Sequence, residues 1–355
     1  MSFFISRRSA ACILFPLIFT LAVRARAQVG ADSVAQDTSA DSVRSAFAAT
    51  FLTAMTGTIL EGISDANGFS IPYFGAVHFA DGGWKAGTAF LGTELGLLLL
   101  RKQLLDAAGP SGPGYPFTDN NLLYRRDGGY SPQSDSYLVT AHATDWLLED
   151  IGFMDLFSSF RELHDRTSTI NKVTMDQTSI PSLMLSPFKP KYLTDPWVLA
   201  PVFVGCAANY LYNKDSKPLS LARNVTMFNR TMTPVQAMLL MGGVGALQTI
   251  FVAAGEEMMF RGVVQTEATE LSTPAVGLVV SSVVFGLWHV PRGNLAYGLS
   301  AAIGGFYMGW RYQENGYNLG ETIAMHFWND FVANLIVMVR NPRTAEYVYS
   351  INWKF

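Results

Sequence analysis

The chain has 355 residues, 15% of them charged and 49% hydrophobic, with a formal net charge of -3. Soluble domains are about 25% charged. The low charge, a mean hydropathy of +0.20 and recurring apolar runs of near membrane-spanning length exclude a single ordinary water-soluble core. The small net charge points to neither nucleic acid nor an acidic partner.

In chain order, residues 1–27 read as a cleaved export signal. Arg7 and Arg8 supply the basic start, residues 10–23 the apolar stretch, and Ala25-Arg26-Ala27 a small-x-small cleavage site that leaves Gln28 first. The apolar stretch is shorter than the ~20 residues of a normal span. An exported integral protein of a bacterial inner membrane is expected. The two cysteines, Cys12 and Cys206, provide no disulfide framework, since the first leaves with the signal.

Residues 28–195 form an N-terminal region with one or two spans. A polar lead covers 28–45, a moderately apolar run 45–63, and a Gly-rich stretch 62–83. An apolar helix is expected over 85–100, closed by Arg101 and Lys102, with Glu94 a solitary charge inside it. Residues 106–136 are Pro- and Gly-rich and read as an extramembrane loop. Residues 137–163 mix Trp146, Leu148, Phe153 and Phe157 with Asp145, Glu149, Asp150 and Asp155, which predicts an amphipathic interfacial helix. Residues 164–195 read as polar loop. His78, His142 and His164 fall in these loop or interfacial segments and read as surface residues.

From Pro196 the texture changes. Five apolar helices are expected over 197–212, 235–254, 274–290, 295–312 and 322–339, with residues 341–355 as a tail. The polar hairpin 213–233 carries Lys214, Lys217, Arg223 and Arg230 against Asp215, an excess that favours the cytoplasmic side. Gly242-Gly243 and Gly304-Gly305 read as close helix contacts, and Trp288, Trp310 and Trp328 as interface or packing residues. The fold expectation is all-α: a polytopic bundle of six to eight membrane helices, because unpaired backbone cannot survive in lipid.

These apolar helices nevertheless carry charge, which at mid-bilayer costs roughly 2.5–3.5 kcal/mol per residue and is normally turned toward a protein interior or wet cavity. Glu256, Glu257 and Arg261 end one run, His289 ends another, and His326, Asn329 and Asp330 interrupt a third. Glu257 and Arg261 are four apart with the glutamate first, the better order for a helical ion pair. Glu256 points about 100° away and is available to another helix. Phe285 shares a face with His289, and His326 with Asp330. One carboxylate, two imidazoles and an amide or carboxyl group in one pocket suffice to hydrolyse an amide, with the glutamate as base toward water and further donors for the oxyanion.

Glu256-Glu257-Met258-Met259-Phe260-Arg261, then Phe285-Gly286-Leu287-Trp288-His289, then His326-Phe327-Trp328-Asn329-Asp330 resembles the three ordered motifs of the CPBP family, which includes CAAX-prenyl endopeptidases and bacteriocin-processing or immunity proteins. The resemblance covers about residues 196–340 and says nothing of the N-terminal half. It implies that Glu256 activates water, His289 helps hold it, His326 with Asp330 takes the oxyanion side, and Glu257 with Arg261 forms a supporting ion pair. It also implies CAAX-type or leader-bearing peptides as substrates. The family has asparagine where this chain has Asp330. Either Asp330 is kept protonated by burial among Phe327, Phe331 and Leu335, or Asn329 replaces it.

The favoured expectation is an intramembrane endopeptidase with no cofactor, whose partners are a membrane-associated peptide or protein substrate and the lipid bilayer. A zinc protease using Glu256, His289 and His326 is the second enzyme reading, since two histidines and a carboxylate are an accepted zinc set. Outside enzymes, a scaffold or immunity protein without turnover is the rival. A proton-coupled transporter using Glu256 is weaker, for no inverted repeat is visible.

Overall fold

The computed structural model describes residues 75–80, 82–108, 132–167, 173–212, 214, 225–227, 230–290 and 295–340. The expected export signal, the 45–63 run and the C-terminal tail lie outside them. Helices α1 (Ala76–Ala80), α2 (Trp84–Ala108) and α3 (Pro132–Thr167) come first. A strap follows, in which α4 (Ile180–Met184) and α5 (Pro190–Leu193) flank a 3-10 turn, Ser186–Phe188. Then come α6 (Pro196–Tyr212) and a short antiparallel hairpin, β1 (Val225–Met227) and β2 (Arg230–Met232), in which Val225 faces Met232 and Met227 faces Arg230. Helix α7 (Pro234–Glu257) widens into a π-helical segment, Met258–Gln265, and continues as α8 (Thr266–Leu271). Helices α9 (Pro274–His289), α10 (Leu295–Glu314) and α11 (Leu319–Arg340) complete the described chain. Apart from the hairpin, the regular structure of the described residues is helical.

Local chemistry sets the helix starts. Thr233 accepts from the Gln236 amide at 3.3 Å while the Gln236 side chain accepts from the Thr233 amide at 2.9 Å, a reciprocal cap in front of Pro234. Thr273 caps α9 in the same place relative to Pro274. The start of α11 is capped by a residue remote in sequence: the Leu319 amide donates to Asp176 Oδ2 at 3.0 Å, and Arg161 of α3 holds the strap there by donating to the carbonyls of Asp176 and Thr178 at 3.0 and 2.9 Å.

Helix α3 is where the structure departs most from expectation. Leu148, Ile151, Phe153, Met154, Leu156, Phe157 and Phe160 are buried, and so are Asp150, Asp155, Ser158 and Ser159. A helix buried all round is central, not interfacial. Its aromatic residues join Met258, Phe260, Val263, Phe285 and Phe327 in one hydrophobic core, so the core crosses the boundary expected between residues 195 and 196. The strap, expected as plain loop, contains helical turns whose Leu183 and Tyr192 enter the same core. Residues 132–136, also expected as loop, are the first turn of α3.

The outward surface is apolar: Phe203 is 69% exposed, Leu239 72% and Ile303 73%. Among the described residues one helix, Pro234–Leu271, is long and apolar enough to cross a membrane; the apolar helices Pro196–Leu211 and Pro274–His289 are shorter. The expected six to eight spans are therefore matched by one helix of full length and two shorter apolar ones among the described residues. Two of the expected contact glycines, Gly243 and Gly304, meet nothing across the helix. Gly305 does make a close contact, a Cβ there lying 3.1 Å from Phe285 Cδ1, and tighter crossings occur elsewhere. Helices α9 and α10 touch backbone to backbone at Gly286 and Gly298, and α7 meets α3 where a Cβ on Gly255 would lie 2.7 Å from the Asp150 carbonyl oxygen. Gly255→Val is therefore expected to destabilise the detergent-solubilised protein by about 1–3 kcal/mol through overpacking; an unchanged unfolding midpoint would show that α3 and α7 do not meet there.

Candidate active site

The three charged motifs converge. Glu256, at the end of α7, is buried, with Oε2 3.7 Å from His289 Nε2 of α9 and 3.9 Å from His326 Nε2 of α11. Both imidazoles are aimed by their other nitrogen. His289 Nδ1 lies 2.7 Å from the Phe285 carbonyl, which can only accept, so Nδ1 carries a proton and, in the neutral ring, Nε2 presents its lone pair. His326 Nδ1 lies 2.9 Å from Glu257 Oε1. Phe285 packs against His289 at 4.4 Å between ring centroids, and Tyr297 approaches the same imidazole edge-on at 5.4 Å.

Glu257 does more than its sequence spacing suggested. The expected ion pair forms, with Arg261 Nη1 donating to Glu257 Oε1 at 3.0 Å and both side chains wholly buried. The same oxygen receives His326, so one carboxylate joins the π-helical segment to α11. Arg261 also donates from Nη2 to the Gly305 carbonyl of α10 at 3.1 Å and lies 4.5 Å over the Phe285 ring. The wider turn of a π-helix, often found at functional sites, carries Arg261 into this position. Below it, Gln265 donates to the Gly309 carbonyl at 2.8 Å, and Ser281 of α9 donates to the Phe260 carbonyl at 2.8 Å.

Asp330 and Asn329 differ in placement. Asp330 Oδ2 is 3.3 Å from His326 Nε2, and its side chain is 15% exposed, more open than Glu256 at 4%. Asp330 thus faces an imidazole as well as its apolar neighbours. Asn329 turns toward α6, its Oδ1 occupying the space a Cβ on Gly205 would need, and its Nδ2 donates to Asp330 Oδ1 at 3.1 Å. Asn329 thus contacts both Asp330 and the α6 backbone position of Gly205.

Gaps of 3.7 and 3.9 Å exceed direct hydrogen bonds. Ligand atoms around a tetrahedral zinc at 2.0–2.1 Å lie about 3.4 Å apart, and among the described residues no group of three or more His, Cys, Asp and Glu is arranged to hold a metal ion. The Glu256–His289 and Glu256–His326 separations exceed that spacing by about 0.3 and 0.5 Å.

Comparison with known families bears on the same helices. Residues 239–332, which carry every one of these side chains, match the family described as Rce1-like, type II CAAX prenyl endopeptidases. Over this segment the chain is similar to the CPBP family of intramembrane proteases. No curated protein and no solved structure matches the chain significantly. The matched residues contain the Glu256, His289 and His326 motifs in that order.

Other residues escaped the sequence reading. His78 and His164 are buried, not surface residues: His78 Nε2 is 3.3 Å from Asp155 Oδ1 and stacked on Phe90, and His164 Nε2 is 3.5 Å from Glu270. His142 lies outside the described side chains. Glu94 is buried within electrostatic reach of Asp155. The cap on α11 from Asp176 had no local signal, whereas Asn318, whose Oδ1 accepts from the Gly320 amide at 2.9 Å, is a residue type suited to that position. Trp328 is a packing residue whose Nε1 donates to the Pro187 carbonyl at 2.9 Å, tying the strap to α11.

Removing the charge on Glu257 leaves Arg261 buried without its counter-ion. Glu257→Gln is expected to cost about 3–5 kcal/mol and to lower both folded yield and unfolding midpoint in detergent. A variant with wild-type stability would show that the pair does not hold the site together.

Proposed function

We propose that the protein is an intramembrane endopeptidase in which Glu256 activates water to hydrolyse a peptide bond of a membrane-associated substrate. The observation that carries this reading is the convergence of Glu256 Oε2 with the Nε2 atoms of His289 and His326 at 3.7 and 3.9 Å. A water between Glu256 and His289 meets two acceptors, the carboxylate and the Nε2 lone pair. Its hydrogens then point at the protein and its oxygen lone pair is left for the substrate carbonyl. As the carbon–oxygen bond forms, one water proton passes to Glu256, and the oxyanion develops on the side of His326 and Asp330. The class of the matched family supports C-terminal CAAX-type peptides as the first substrates to try, and leader-bearing peptides as the second.

Glu256→Gln keeps the shape of the side chain and loses the base. It is expected to reduce turnover of a prenylated CAAX peptide by at least about 100-fold while leaving the unfolding midpoint within the error of wild type. Turnover close to wild type would remove Glu256 from the mechanism, and a wild-type protein inert toward CAAX and leader peptides alike would favour the scaffold or immunity reading.

The zinc reading has one observation in its favour: each imidazole is anchored through Nδ1 with Nε2 turned to Glu256, the support that metal-bound histidines have. Incubation with 1,10-phenanthroline separates the two. Turnover is expected to be unaffected; a loss restored by added Zn²⁺ would establish the metal mechanism.

A further inference from the structure

We propose that the proton shared by His326 and Asp330 is the one delivered to the leaving amine nitrogen, so that Asp330 acts as a general acid; this rests on the endopeptidase reading above. His326 Nδ1 is committed to Glu257 at 2.9 Å, which leaves Nε2 to face Asp330 Oδ2 at 3.3 Å. Two lone-pair atoms at that distance repel unless a proton lies between them. The other Asp330 oxygen is occupied by Asn329 Nδ2 at 3.1 Å, and Asn329 is itself wedged against Gly205 of α6. The carboxylate is thereby held with Oδ2 toward His326. Asp330 is also the most open of the site's charged groups, at 15% exposure against 4% for Glu256 and 7% for His326, so substrate reaches it from the rim.

The proton balance closes. Attack transfers one water proton to Glu256 and builds the tetrahedral intermediate, whose oxyanion meets the proton of the His326–Asp330 pair. On collapse the carbonyl re-forms, the carbon–nitrogen bond breaks, and its electron pair on nitrogen takes that proton. Glu256 returns its proton to the pair, 3.9 Å away at His326 Nε2, through the product carboxyl group or a water. The sum is addition of water across the peptide bond. An asparagine at position 330 can orient His326 but cannot receive and release this proton.

Leaving-group chemistry tests the assignment. An amine must be protonated to leave, whereas a thiolate, whose conjugate acid has a pKa near 8.5, leaves without help. Full-length wild type and Asp330→Asn in detergent are compared on a prenylated CAAX peptide and on the same peptide with a thioester at the scissile bond. Asp330→Asn is expected to lower amide turnover about 100-fold and thioester turnover less than about 3-fold. Equal losses on the two substrates, or no loss on the amide, overturn the proposal. A wild type inactive on both overturns the endopeptidase reading beneath it. Asn329→Ala supplies an independent measurement: with Oδ1 released, the amide-to-thioester rate ratio is expected to fall about 10-fold, and an unchanged ratio counts against the orientation argument.

Discussion

Everything in the active region depends on one buried carboxylate. Glu257 has no exposed surface, and a charge withdrawn from solvent persists only where protein groups replace its hydration. Arg261 and His326 do so from different directions and at the same oxygen. Arg261 then reaches the backbone of α10, and His326 belongs to α11. Meeting the electrostatic demand of Glu257 thus draws together the helices that present Glu256, His289 and His326 to each other. A hydrophobic residue at position 257 would cost no desolvation, but it would leave His326 without an anchor for its Nδ1.

The distribution of polarity follows from the same constraint. Leucine, valine and phenylalanine cover the outside, while carboxylates, imidazoles and a guanidinium lie within. In water this arrangement is unfavourable on both counts. In lipid the outward side chains are already among their own kind, and the interior supplies the polar contacts that lipid cannot. A protease needs water in such a place, and a polar interior walled by apolar helices is the means of confining it to a few positions.

Helix boundaries and motif spacing were legible because they are local. The five helices after residue 196 lie within a few residues of their apolar runs, and the i, i+4 relation of Glu257 and Arg261 survives although the helix widens between them. Long-range partners were not legible. Nothing near Asp176 indicates that it caps a helix 143 residues later. The charges of α3 suggested a solvated face, yet Asp155 meets His78 and the Gly75 amide at 3.1 Å, a pairing invisible until the chain folds back. Charge alone does not distinguish an aqueous face from a satisfied interior one. Asp330 shows the same limit: its neighbours in sequence are aromatic, and its neighbour in space is an imidazole.

The placement of α3 bears on which part of the chain could be moved as a unit. The matched segment, 239–332, is the part that can be recognised, but Phe153 and Phe157 sit in its core and Asp150 lies against Gly255, next to the proposed base. The unit that carries the signature is smaller than the unit that folds. Transplanting the motif-bearing helices into another protein would expose the groove that α3 fills with Phe153 and Phe157, and would leave Gly255, the small crossing residue that α7 supplies, facing no partner.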